Sequence, residues 1–404
     1  MKYKVRILPA DDQATLVKYL RKSGVDSRGI DIIGRKSRNM VFRVENVSAA
    51  AANIIKQQLL SMGQEAAVHR DIISGRPDTS EVYIIIDQRS VSELAGKFSW
   101  QPFGLPRLGE EIERLAQACR SLPESIKLRD GELSLKDSPL IMGILNTTPD
   151  SFSDGGKYLE PGEAVDRALR MVDQGADIID IGGESSRPGA SDPGSTEEIR
   201  RVIPVLEMLE SSIPVPVSID TRKSEVARAA LDHGARIIND ISGLGHDPEM
   251  IVIAAEYGAA VVVMHMQGTP SSMQDNPYYQ DVIGEIMEWF RERTGRIMEG
   301  GVEKEKIIID PGIGFGKRLE DNLDIIRELT SFRELGFPVM IGYSRKSFLG
   351  AITGRGPEGR VYGGMAALGR SLREGAQLVR VHDVEETRDF INVFKAIEGE
   401  IIRK

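Results

Sequence analysis

The chain has 404 residues, 41% hydrophobic and 28% charged, with 52 Lys+Arg against 61 Asp+Glu for a net charge of −9. That composition excludes a disordered or collagen-like chain, and the acidic balance excludes a nonspecific nucleic-acid binder, which needs a basic face to displace counterions. The single cysteine, Cys119, leaves no internal disulfide and suits a reducing, cytoplasmic setting.

The first residues, MKYKVRILPADDQ, lack the apolar core of a signal peptide, and no apolar run nears the roughly 20 residues of a membrane-spanning helix. Residues 1–122 then suggest a small α+β domain. KYKVRIL, MVFRVENV, EAAVHRDII and EVYIIID read as strands; DQATLVKYLRKSG, SAAAANIIKQQLLSMG and Leu108–Cys119 read as helices. No chemical constellation lies among them, and His69 reads as a surface or packing residue. An accessory or dimerising role is expected.

Pro123 interrupts the preceding helical pattern, which puts the boundary near Leu122–Glu124 and a second domain over 123–404. It begins with a hairpin over Ile126–Leu135, with Asp130-Gly131 as a two-residue turn, placed to plug one mouth of a barrel. Eight apolar runs follow, at 140–146, 176–182, 215–220, 236–241, 259–266, 306–312, 338–344 and 376–383. They have the length and Val/Ile content of parallel strands buried on both faces. Between them lie helical patterns such as Glu163–Gln174, Thr196–Leu209, Lys223–His233, Asp281–Met298 and Asp321–Leu335. Gly-Ala pairs at 175, 234, 258 and 375 mark helix ends. Eight β-then-α units predict an α/β fold, a (β/α)8 TIM barrel.

Such barrels carry function at the C-terminal ends of their strands. The polar residues there are Asn146, Gly183–Arg187, Asp220, Asn239-Asp240, His265, Asp310, Ser344-Arg345-Lys346, Arg380 and His382. Asp220, Asn239 and Asp310 bring acceptors and one amide from three strands, a set suited to a flat ligand with adjacent N–H groups such as a pterin or purine edge. Arg380 and His382, two apart on one strand, face one side and with Asn146 outline an anion pocket, with Lys346 nearby. The segments 147–158 and 185–193 are rich in Gly, Ser and Pro, as loops that close over a substrate are. Gly312–Lys317 has neither dinucleotide-loop nor Walker spacing, the five histidines and one cysteine form no zinc set, and His265 ranks below His382 as a functional residue.

The blocks MGILNTTPDSFSDGG (142–156), GADIIDIGGESSRPGA (175–190), VSIDT (217–221), GARIINDISG (234–243), VVMHMQGTP (262–270), IDPGIGFGK (309–317), GYSRKSFLG (342–350) and RVHDV (380–384), in this order, resemble the dihydropteroate synthase family. The resemblance implies condensation of 6-hydroxymethyl-7,8-dihydropterin diphosphate with 4-aminobenzoate, in a family that sulfonamides target and that is commonly homodimeric. It implies a pterin site of Asp220, Asn239, Ile241, Met264, Asp310, Phe315, Gly342 and Lys346. Asn146, Arg380 and His382 would take the diphosphate, with Mg²⁺ on Asn146. Asp150, Ser151, Phe152, Ser186, Arg187, Pro188 and Ser347 would form the aminobenzoate site and its loops. Two alternatives are a methyltetrahydrofolate:corrinoid methyltransferase, which has no need of the SSRPGA loop or the Arg380/His382 pair, and a noncatalytic pterin-binding module, which would tolerate loss of Asn146, Lys346 or Arg380.

Overall fold

A computed structural model describes residues 39–75, 77–120, 123–137, 139–148, 160–184, 193–210 and 212–398, and the chain divides into two compact units, Met1–Ser121 and Leu122–Lys404.

In the first unit, β1 (Asn39–Ser48) leads into α1 (Ala49–Ser61), followed by β2 (Glu65–Val68), β3 (Thr79–Asp87), α2 (Val91–Phe98) and α3 (Leu105–Arg120). The strands form an antiparallel sheet in the order β1-β3-β2. Alternation along β3 buries Val82, Ile84 and Ile86 against Ile55 and Leu59 of α1, while Glu81 and Tyr83 stay exposed. Ser48 starts α1 by accepting from the Ala51 N–H at 3.3 Å. The EAAVHRDII strand stops at Val68, because Ile72–Ser74 forms a 3₁₀ turn closed by left-handed Gly75. Helix α2 had no counterpart in the sequence reading. KYKVRIL and DQATLVKYLRKSG lie outside the described residues, and His69 is exposed.

The second unit opens with the hairpin β4 (Ser125–Leu128) and β5 (Gly131–Ser134). The ladder pairs Leu128 with Gly131, so the turn is Arg129-Asp130, one residue earlier than expected. Gly131, at φ +149°, sits inside the ladder rather than at the turn. The barrel follows as β6 (Leu140–Asn146), α4 (Pro161–Asp173), β7 (Ile178–Gly182), α5 (Gly194–Leu209), β8 (Val217–Asp220), α6 (Ser224–Asp232), β9 (Ile237–Asp240), α7 (Met250–Glu256) and β10 (Ala260–Met264). It continues with α8 (Val282–Glu299), β11 (Ile307–Asp310), α9 (Leu319–Arg327), β12 (Met340–Ile341), α10 (Ser347–Thr353), α11 (Val361–Arg373), β13 (Leu378–Val381) and α12 (Val384–Glu398). The eight strands β6–β13 are all parallel and adjacent in order, β13 pairs with β6, and an Ile309–Val339 bridge joins β11 to the start of β12. The second unit is a (β/α)8 barrel and the first a small α+β unit.

The helix expected over Asp321–Leu335 breaks at Glu328, whose backbone leaves helical geometry, and Leu329–Leu335 continues as 3₁₀ turns that bury Leu329 and Phe332. The four Gly-Ala pairs share one geometry. Each glycine has φ between +59° and +100°. Each following alanine N–H reaches the carbonyl five residues back, at 2.8 Å for Ala176 and 3.0 Å for Ala235, Ala259 and Ala376. Helix α4, α6, α7 or α11 thereby ends and the chain is aimed at the next strand.

Strand alternation sorts two cores. Ile179, Ile219, Ile238 and Val379 pack outward against helices, with Ala168, Leu206 and Phe290. Ile178, Ile237, Val262, Ile308, Met340 and Leu378 face the axis and pack on Ile126 and Leu135 of the hairpin segment. The hairpin covers the N-terminal mouth, where each buried aliphatic side chain contributes about 1.5–3 kcal/mol. Bidentate Arg236–Asp130 bonds of 2.7 and 2.8 Å fasten it. Two residues further along each strand, at the opposite mouth, the inward side chains change character.

Candidate active site

Period-two alternation carries Ile144, Ile178, Ser218, Ile237, Val262, Ile308, Met340 and Leu378 to Asn146, Asp180, Asp220, Asn239, Met264, Asp310, Gly342 and Arg380 on the same face. Toward the C-terminal mouth the inward positions are therefore mostly polar, whereas those nearer the hairpin are apolar apart from Ser218. Bonds between non-adjacent strands show that these side chains meet across the axis. Arg380 Nε on β13 donates to Asp180 Oδ2 on β7 at 2.6 Å, and Arg380 Nη2 donates to Asp220 Oδ2 on β8 at 2.6 Å. Asn239 Nδ2 on β9 donates to the same Asp180 Oδ2 at 2.9 Å. Burial works against the Arg380 charge, but Asp180 and Asp220 outweigh it and hold its pKa above the ordinary value. Burial also pushes the Asp220 carboxyl up; Arg380 opposes that shift and Asp180 adds to it.

Opposite this group lies an apolar wall. Met264, Met273 and Phe315 are buried together, with Ile241 and Met266 against them. Lys346 Nζ sits 3.7 Å from the Phe315 ring centroid, a close cation–π contact. Burial and the nearby Arg380 push the lysine down to about 8, against the pull of Asp310 and Asp220. It still carries its proton at neutral pH. Asp310 accepts from the Gly312 N–H at 2.7 Å, and burial raises its pKa against that bond and the Lys346 charge. A Cβ on Gly342 would come only to 3.9 Å from Arg380 Cβ and Asp310 Oδ2, which leaves a slot between them.

The segment 312–317 shapes this wall. Gly312, Gly314 and Gly316 have φ of +71°, +79° and +59°, and a Cβ on Gly312 would fall 2.0 Å from the His265 carbonyl oxygen. The glycines let the loop lie against the end of β10. Lys317 is buried beneath it, with Nζ 3.0 Å from Phe315 O and 3.1 Å from His265 Nδ1. Burial pushes Lys317 down to about 7 and His265 well below its ordinary value. His265 packs edge-on to Trp289 at 5.0 Å, a supporting residue as the sequence suggested.

Just past the ends of β12 and β13, Ser344 Oγ accepts from the His382 N–H at 3.3 Å and lies 3.0 Å from His382 Nδ1. The Ser344 hydroxyl can donate to Nδ1, the arrangement that leaves Nε2–H as the imidazole donor, or accept from Nδ1–H. Burial and the cations Arg345, Arg380 and Lys346 push His382 down to about 3, so the ring is neutral. Arg345 bonds Asp383 at 2.6 Å and Glu358 at 2.8 Å. Asn146 ends β6 beside Gly182, where a Cβ would lie 3.7 Å from Asn146 Oδ1. Ser347 is exposed at the start of α10.

The structure thus gathers Asn146, Asp220, Asn239, Ile241, Met264, Asp310, Phe315, Gly342, Lys346, Arg380 and His382 at one mouth. Asp150, Ser151, Phe152, Ser186, Arg187 and Pro188 lie outside the described residues. Sequence reasoning passed over Asp180. Its signal was present, since an aspartate inside the apolar run IIDIG must be partnered once buried, yet it stands two residues before the strand end where polar residues were sought. Among the described residues no group of three or more His, Cys, Asp or Glu could hold a metal ion, and no helix is long and apolar enough to cross a membrane.

The chain matches the sequence model of the pterin binding enzymes over residues 142–382. It is 46% identical over 258 residues to a dihydropteroate synthase from Synechocystis sp., covering 64% of this chain and 89% of that one. A probable bifunctional folylpolyglutamate synthase/dihydropteroate synthase from Halobacterium salinarum is 39% identical over 359 residues, 87% of this chain and 42% of that protein; the match is longer than the barrel unit. Among solved structures, dihydropteroate synthase from Xanthomonas albilineans in complex with 7,8-dihydropteroate superposes with a TM-score of 0.62 at 41% identity, over 69% of this chain and all of that one.

Proposed function

The chain belongs to the dihydropteroate synthase family of pterin-binding enzymes, and on that premise we propose that it joins 6-hydroxymethyl-7,8-dihydropterin diphosphate to 4-aminobenzoate, releasing diphosphate and forming dihydropteroate for folate synthesis. The observation that carries this reading is the two-sided mouth. Asp220, Asn239 and Asp310 offer acceptors to the N–H groups of a pterin, while Met264, Phe315 and Ile241 offer a flat apolar wall to its ring.

The reaction breaks a C–O bond to diphosphate with a weak neutral amine as nucleophile. An electron-rich dihydropterin can carry positive charge on its exocyclic carbon, so diphosphate leaves first on an SN1-like path. Arg380 and His382 bind the departing group, the arginine by the guanidinium edge not engaged by the aspartates and the neutral histidine by its Nε2–H. Each well-aimed donor of this kind is worth several kcal/mol. Lys346, held over Phe315, orients the pterin. Phe152, Ser186, Arg187, Pro188 and Ser347 take the aminobenzoate, with Asp150 and Ser151 in the adjoining loop; the arginine meets its carboxylate. No general base is needed, because the ammonium product of C–N bond formation is acidic.

A single amide oxygen on Asn146, with no carboxylate cluster among the described residues, fits Mg²⁺, which keeps most of its ligands as phosphate oxygens and water. Asn146 would hold the ion against the diphosphate, and the ion would supply charge neutralisation there. A cytoplasmic homodimer belongs to the same proposal, and sedimentation velocity checks the dimer. Incubation with dihydropterin diphosphate, labelled 4-aminobenzoate and Mg²⁺ is expected to give labelled dihydropteroate; no labelled product defeats the proposal, and pterin binding without turnover then favours the methyltransferase or noncatalytic-module alternative.

A further inference from the structure

Asp180 has no solvent exposure, so it does not touch a ligand in the mouth, yet one of its oxygens touches two residues that face it. Oδ2 accepts from Arg380 Nε at 2.6 Å and from Asn239 Nδ2 at 2.9 Å, joining β13 and β9 through β7. A carboxylate oxygen only accepts. Asn239 must therefore turn its NH₂ toward Asp180, which leaves the carbonyl Oδ1 turned away. An asparagine free of that contact could present either end of its amide. The same contact, with Asp220 on Nη2, occupies one edge of the Arg380 guanidinium and leaves the Nη1 edge unengaged.

We infer that Asp180 is a positioning residue that sets which atoms Asn239 and Arg380 present to the ligand, so that Asn239 offers an acceptor and Arg380 its outer edge. The inference rests on the pterin-binding reading above. With Asn239 fixed as an acceptor, the ring at the mouth is Asp220, Asn239 and Asp310, three acceptors for the N–H groups of one pterin edge. A ligand that places a carbonyl where pterin has its amino group, as lumazine does, meets acceptors with an acceptor.

The alternative is that Asp180 serves only as counter-charge to Arg380, and asparagine separates the two. In Asp180→Asn the amide oxygen can occupy the place of Oδ2 and keep both bonds while the charge is lost. Its NH₂ then takes the place of Oδ1, which is buried without a partner, next to Ser218, the cross-strand neighbour whose Oγ is likewise unpartnered. Asp180→Ala removes both bonds.

The test is calorimetric affinity of the full chain and both variants for pterin and for lumazine, with KM and kcat for the dihydropterin diphosphate and a Tm for each variant. Asp180→Ala is expected to weaken pterin roughly 10–100-fold, to raise KM more than it lowers kcat, and to narrow the preference for pterin over lumazine. Asp180→Asn is expected to keep affinity and preference within about threefold, since it retains both hydrogen bonds. An alanine variant with unchanged affinity and preference overturns the inference, as does an asparagine variant that loses as much as alanine, which would assign the role to charge. Should the alanine variant not fold, the asparagine variant decides alone: retained preference supports positioning and a collapsed preference overturns it. A wild-type chain that binds no pterin defeats the proposed function before any variant is compared.

Discussion

Arg380 answers to two aspartates and to the ligand at once, which makes it the residue whose loss is felt twice. Arg380→Ala would strand Asp180 and Asp220 without their cation, a situation that costs about 3 kcal/mol or more for a buried pair. It would also remove a donor aimed at the leaving group, expected to slow turnover by roughly 100-fold or more. Urea denaturation and a product assay check the two effects separately, and near-normal turnover would sink the diphosphate assignment. His382 gives a pH prediction. Its folded pKa is about 3 against an ordinary value of 6.5. Between those values the unfolded chain binds a proton that the folded chain refuses, so the stability this residue contributes above pH 6.5 is lost as pH falls. At pH 5 the loss is about 1–2 kcal/mol. Asp240, raised to about 6 by burial, works in the opposite direction over part of the same range, so the comparison needs a variant. His382→Gln should lose less stability than wild type between pH 7 and pH 5; equal losses would contradict the neutral buried imidazole.

At the scale of the element, two glycines make opposite tests. Gly312 has φ +71° and no room for a Cβ, so Gly312→Ala must displace the loop that carries Phe315 away from the end of β10. A stability loss of at least about 2 kcal/mol is expected, together with weaker pterin binding. Gly295 lies inside α8 with nothing within 4 Å of its would-be Cβ. Gly295→Ala should raise stability by about 0.5–1 kcal/mol through helix propensity, with turnover unchanged; urea midpoints of both variants settle the contrast. Most elements were legible because their signals are local: β/α alternation of apolar runs, and Gly-Ala pairs at helix ends. The departures came where packing overrode local pattern. The 321–335 helix breaks at Glu328 so that its tail can bury Leu329 and Phe332, and the hairpin turn shifts one residue so that Gly131 enters the ladder.

At the scale of the whole molecule, each unit has its own buried core, the condition for folding independently. A chain beginning at Pro123 is expected to keep the synthase turnover within severalfold and to melt in a single transition, measured by steady-state kinetics and calorimetry. Loss of activity from a folded truncation would give residues 1–122 a part in catalysis. The net charge of −9 proved no guide to the ligand, because the mouth is governed by a handful of groups held within hydrogen-bonding distance.

The sequence by itself determined the barrel, the order of its strands and the rim at which polar residues collect. Those follow from period-two and helical alternation and from short motifs, each readable within a few residues of chain. Only the tertiary structure decided that Asp180 belongs to the site, that Arg380 is shared between two aspartates, and that His382 is neutral. These depend on partners 200, 160 and 38 positions away along the chain. Closure of the barrel brings such partners to within about 3 Å, and burial then decides which of them keep their charge.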